Sequence, residues 1–144
     1  MKQFFALILA VLCFGVGYVQ ANDVRLKQAY ESHQSDVQVR GSGTVSRILP
    51  DDNKGSRHHK FILRLDSKQT VLVAHNIDLA PRIQGLGKGD RVEFYGEYEW
   101  NKKGGVIHWT HRDPNNRHAH GWLKHNGNVY EYPPPETFPF KAIR

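Results

Sequence analysis

The sequence predicts a mainly β protein: a small five-stranded barrel with one short helix between the third and fourth strands, followed by a C-terminal hairpin and a tail. Three observations predict it. Apolar and polar residues alternate in strand-length runs from Val37 onward, and clusters of glycine, asparagine and proline separate those runs. The alternation is interrupted after the third run, where Leu79, Ile83 and Leu86 repeat at helical spacing.

The chain opens differently. Lys2 precedes an uncharged run from Phe4 to Val19, and Val19-Gln20-Ala21 places small residues where a signal peptidase reads. Residues 1–21 are expected to be a signal peptide cleaved after Ala21, and the mature chain to be exported, either periplasmic or secreted. The run is short for a membrane span and contains Gly15 and Gly17, and no second apolar stretch follows. No stable span is therefore expected after cleavage. A retained N-terminal anchor, or a lipid on Cys13, is the alternative use of the same segment. Cys13 is the single cysteine, so the part after residue 21 has neither disulfides nor thiolate metal sites to stabilise it.

Residues 22–36 form an N-terminal helical segment in this reading, because Val24, Leu26 and Tyr30 lie near helical spacing from Asp23 to His33. Residues 37–132 are read as the barrel with its hairpin. Val37, Val39, Gly41, Gly43 and Val45 alternate, and Gly41-Ser42-Gly43 is where a strand can bend. Pro50 to Gly55 turns the chain, His59, Phe61, Leu63 and Leu65 alternate next, Ser67-Lys68 turns again, and Thr70 to His75 gives a third strand. After the Leu79–Leu86 helix, stopped by Gly85, Gly87 and Gly89, one strand runs to Trp100 and another from Gly105 to His111. Asn126-Gly127 between Gly121–Leu123 and Val129–Tyr132 signals a hairpin. Residues 133–144, opening on three prolines, are expected to be an extended tail. Three strands, a helix and two strands, with a bent first strand, resemble the oligonucleotide/oligosaccharide-binding (OB) fold. An unrelated small barrel or sandwich is the alternative.

A hairpin loop centred between Lys102 and Lys103 pairs Glu97 with His108 and Tyr95 with Thr110. Alternation then puts Val92, Phe94, Tyr98, Trp100, Ile107 and Trp109 on the core face, and Glu93, Glu97, Glu99, His108 and Thr110 on the wet face. Glu97 and His108 are the pair able to exchange protons if the protein is an enzyme.

The formal net charge is +6 with nine histidines, and among the charged residues only Lys2 precedes residue 22. A basic excess of this size suits a polyanionic partner, nucleic acid or anionic glycan. Arg40, Lys60, Arg64, Arg82, Lys102 and Lys103 are the cations in reach of such a ligand, His75 and Asn76 lie at the end of a strand beside them, and Trp100 and Trp122 are candidate stacking platforms. His111, Asp113 and His118, with His120 close by, are of the residue types that hold zinc or a similar divalent ion, and His59 and His75 could approach the same rim.

Ala74 to Arg82, Gly96 to Asn101, Gly105 to Pro114, His118 and Gly121-Trp122 together resemble the shared segments of an uncharacterised family of short exported bacterial proteins, a domain of unknown function. The likeness covers nearly all of the chain after residue 21. It implies export and an OB-like barrel, and it supplies no activity. In that family position 112 is usually histidine; Arg112 departs from it, against any metal scheme that needs a ligand there. A more distant likeness is to the thermonuclease class on the same barrel: Asp66, Asp78, Arg82 and Glu97 are of the right types, but that motif does not align position by position, and none of its sites is carried over.

The leading expectation is thus an exported binding module that recognises a polyanion through a strand face and the loop after His111. A metal-assisted hydrolase, such as a phosphodiesterase or nuclease, with one divalent ion on His111, Asp113 and His118, is the first alternative. A structural envelope protein with a protein partner on its proline-rich tail is the second.

Overall fold

β1 (Val37–Ile48) closes the barrel because it is long enough to pair twice. Its first part lies antiparallel to β4 (Arg91–Glu99), from Val37 opposite Tyr98 to Thr44 opposite Arg91, and its second part lies against β2 (His58–Arg64) from Thr44 opposite Arg64 onward. Thr44 is the pivot, and the glycines before it let the strand turn the corner. A Cβ on Gly41 would lie 2.6 Å from the Phe94 ring, and one on Gly43 would lie 2.9 Å from the Arg64 carbonyl oxygen. β2 continues into β3 (Thr70–Asn76) by a hairpin whose turn holds Lys68 at φ 78°. β3 then pairs in parallel with β5 (Val106–His108), which pairs antiparallel with β4. The order β1-β2-β3-β5-β4, closed by β1–β4, is the expected OB-like barrel.

The coordinates are a computed structural model that describes the backbone of residues 14–132 and the side chains of residues 22–132. The apolar start of the expected signal peptide and the proline-rich tail lie outside the described residues. No helix among the described residues is long and apolar enough to cross a membrane.

α1 (Phe14–Glu31) begins earlier than periodicity alone suggested and continues across Ala21. Beyond that point Leu26 and Ala29 are fully buried, and Asp23 accepts a hydrogen bond from the Ser67 amide at 2.9 Å. Phe61, Leu63, Val71, Val73, Val92, Phe94, Tyr98, Ile107 and Leu123 fill the interior. At roughly 1.5–3 kcal/mol for each large apolar side chain fully buried, this set is the main source of stability in a chain without disulfides. Tyr98 carries a phenol into that interior; burial pushes its pKa up to about 12, and its hydroxyl donates to the Gly104 carbonyl at 2.8 Å. Tyr98→Phe is expected to cost about 1 kcal/mol in urea unfolding, the net value of one hydrogen bond.

β6 (Trp122–His125) extends the sheet beyond β4, and β7 (Asn128–Tyr130) pairs with β6. Their turn is the predicted one, with Asn126 at φ 48° and Gly127 at φ 79°, the two positive values that a two-residue hairpin requires.

Three local expectations are corrected. No helix forms between β3 and β4: Leu79 and Ala80 both donate to Asn76, completing a single turn, and Pro81 then has no amide to continue it. β5 ends at His108 rather than His111, and Tyr95 faces Trp122 of β6 instead of Thr110. The cause is Trp109, which sits at φ 54° and interrupts the alternation. Thr110 is therefore fully buried, while Trp109 leaves the core face.

Candidate functional site

The outward face of β2 and β3 carries a groove of about 340 Å³. Arg47, Lys60 and Lys103 reach it over Leu49, Ile62 and Leu72, with Asn101 at its edge and no carboxylate among its lining residues. Lys60 and Ile62 alternate with the buried His59, Phe61 and Leu63, so β2 itself turns them outward, and Arg64 follows on the same face. Arg47 arrives there through a bulge. Val45 faces the buried Leu63, but the register slips at Ser46 and Arg47 faces the outward Ile62. Sequence alternation alone would have put Arg47 inside with Gly43 and Val45, which is why it escaped the sequence reading. Arg47, Lys60 and Lys103 have no salt-bridge partner among the described residues.

A second groove, of about 390 Å³, continues from the first through the shared Lys60 and Leu72. His58, Asp52, Glu99 and His108 line it. On its β4–β5 side the expected pairing of Glu97 with His108 is present. His108 Nε2 stands 3.1 Å from Glu97 Oε2 and 3.3 Å from Glu99 Oε1. The other Glu97 oxygen is 3.3 Å from His118 Nε2. Trp109 places that imidazole: turned outward by its left-handed backbone, it stacks on His118 with ring centroids 4.0 Å apart.

The other residues singled out from sequence have separate surroundings. His75 is fully buried; Nδ1 meets the Thr110 hydroxyl at 2.7 Å and Nε2 donates to the Pro81 carbonyl at 3.0 Å, and burial pushes its pKa down to about 4. Its side chain cannot reach a ligand. Asn76 accepts from the Asp78 amide at 3.0 Å. Arg82 donates to Asp51 and to His59, and this hydrogen bond holds the Asp51 carboxyl below the usual range, while burial, then the Arg82 charge, lowers the His59 pKa. Trp100 donates from its indole nitrogen to Tyr30 and stacks on His33, and Arg40 and Lys124 both lie over the Trp122 ring. Each indole is thus already engaged by protein groups.

Nor are His111, Asp113 and His118 gathered around one point. His111 is buried, its Nδ1 donates to the Arg112 carbonyl, and burial lowers its pKa. Asp113 accepts from the amides of Asn115, Arg117 and His118, all at 2.8–2.9 Å, so its carboxylate organises the loop that presents His118. These amide bonds, that from Asn115 foremost, lower its pKa. Among the described residues, the group whose ligand atoms come close enough together for one ion is Glu97, Glu99 and His108.

The fold and this surface together define a small OB-like barrel with a cation-lined outer groove running to a histidine–glutamate cluster. The chain belongs to the family described as a protein of unknown function, DUF3465, whose model matches residues 8–131. No curated protein matches it.

Proposed function

We propose that the barrel is a binding module for a polyanion, nucleic acid or anionic glycan, held along the outward face of β2 and β3. The observation that carries this reading is the convergence of Arg47, Lys60 and Lys103 on one groove without a carboxylate among its lining residues. Like charges gathered without counter-charges raise the local potential, and a polyanion relieves it while releasing its own counterions. Ile62 and Leu72 between the cations give bases or sugar rings an apolar surface on which to lie. The apolar run ending at Val19-Gln20-Ala21 supports export as the route to such a ligand, with mature chains starting at Asn22 by mass spectrometry as the expected result.

Anisotropy titration of a labelled single-stranded oligonucleotide and of a labelled sulfated glycan tests the binding. With about three cations engaged, the slope of log affinity against log salt is expected near −2 for a single strand, and Lys60→Ala should reduce its magnitude by about 0.7. Lys60→Glu should weaken binding at least tenfold. Affinity for both probes that ignores salt and Lys60 would refute the reading.

A further inference from the structure

We propose that Glu97, Glu99 and His108 form a binding site for one divalent transition metal ion of the zinc or manganese kind, open to the groove beside Lys60. The inference does not depend on polyanion binding.

The site is built by register. Glu97 and Glu99 are two apart on β4 and so project to the same face, and His108 stands opposite Glu97 on β5. One imidazole nitrogen thereby faces two carboxylates at 3.1 and 3.3 Å. Ligands each about 2.1 Å from a shared ion stand about 3.0–3.4 Å from one another in octahedral or tetrahedral geometry, so these separations are those of neighbouring corners of a coordination polyhedron. Two carboxylates and a neutral imidazole also cancel the charge of a divalent cation, and a mixed oxygen and nitrogen set suits zinc or manganese better than calcium.

His118 backs the same cluster from the other side of Glu97. His118 directs Nδ1 to the Ala119 carbonyl at 2.9 Å and Nε2 to Glu97 Oε1 at 3.3 Å. Both partners are acceptors. The donation to Ala119 fixes the ring against Glu97. The same donation to a backbone carbonyl is what orients metal-bound or metal-adjacent histidines. Three protein ligands leave coordination positions free, and Glu99 and His108 line the open groove into which those positions would face.

The test uses the mature chain, stripped with a chelator that is then dialysed away, and titrated with zinc or manganese ions alone. One equivalent is expected to bind, with manganese broadening the NMR signals of His108 and Trp109. Glu99→Gln and His108→Ala should each weaken uptake at least tenfold while their circular dichroism stays native, and His111→Asn should leave it unchanged. Glu99 is half-exposed, so its variant keeps the test sound if His108→Ala fails to fold. Absence of uptake, uptake undiminished in Glu99→Gln, or loss confined to His111→Asn would overturn the proposal. Polyanion titration in metal-free buffer separates its failure from that of the binding module.

Discussion

His75→Ala is expected to destabilise the barrel by about 3–5 kcal/mol at pH 7.5 and to remove the share of its sensitivity to mild acid that His75 contributes. The first effect follows from burial. The imidazole is fully enclosed, and its removal leaves a cavity and strips the Thr110 hydroxyl and the Pro81 carbonyl of their partner. The second follows from linkage. In the unfolded chain His75 titrates near 6.5, whereas in the barrel its pKa lies at about 4, chiefly because burial penalises the imidazolium. The neutral form is the one the fold holds. Above 6.5 both states carry neutral imidazole and its full contribution is present. As the pH falls from 6.5 toward 4 the unfolded state takes up a proton that the folded state refuses, and about 3 kcal/mol is lost. His59 and His111, both lowered mainly by burial, add to the loss in the same direction. Urea unfolding at pH 7.5 and pH 4.5 measures both effects. His75→Gln, which keeps a donor for Pro81 but cannot titrate, should recover part of the stability with a shallower acid slope. A wild-type protein equally stable at both pH values would show that His75 is not held neutral.

Gly121→Ala is expected to be comparably severe, at 3 kcal/mol or more, for a different reason. A Cβ there would stand 1.9 Å from the Trp109 carbonyl oxygen and 2.6 Å from that of Tyr95, and both obstacles are backbone. Gly121 also donates to the His111 carbonyl at 2.9 Å, which fixes it between the end of β5 and β4. Accommodation requires a main-chain shift that would also move Trp109 and, through its stacking, His118. Gly85→Ala is the control: its Cβ meets nothing within 4 Å, and only the positive φ of 66° opposes it, a cost nearer 1 kcal/mol. Equal melting curves for the two variants would contradict this account.

Much of the barrel was legible because alternation and turn chemistry are local. Lys60 and Ile62 fall outward and Phe61 and Leu63 inward as written, Asn126-Gly127 makes its turn, and the loop centred on Lys102-Lys103 correctly sets Glu97 opposite His108. What was missed arises where one residue changes the phase. The bulge at Ser46 turns Arg47 out, and the left-handed Trp109 exchanges its place with Thr110. Neither carries a glycine or proline to announce it. The helix expected over Leu79 to Leu86 followed its apolar spacing and gave too little weight to Pro81. For the site, residue types were readable but their neighbours were not. Arg82 is tied to Asp51 from 31 positions away, and the buried His75 is closed in by Thr110 from 35 away.

Whether the face of β2 and β3 is the binding surface is decided by following backbone amide signals of the isotopically labelled protein during titration with a short single-stranded oligonucleotide and, separately, a sulfated glycan. Saturable shifts are expected at Arg47, Lys60, Ile62, Leu72 and Lys103 with at least one of the two, fading as salt is raised. Unmoved signals with both, or shifts gathered instead around Arg40, Trp122 and Lys124, would contradict it.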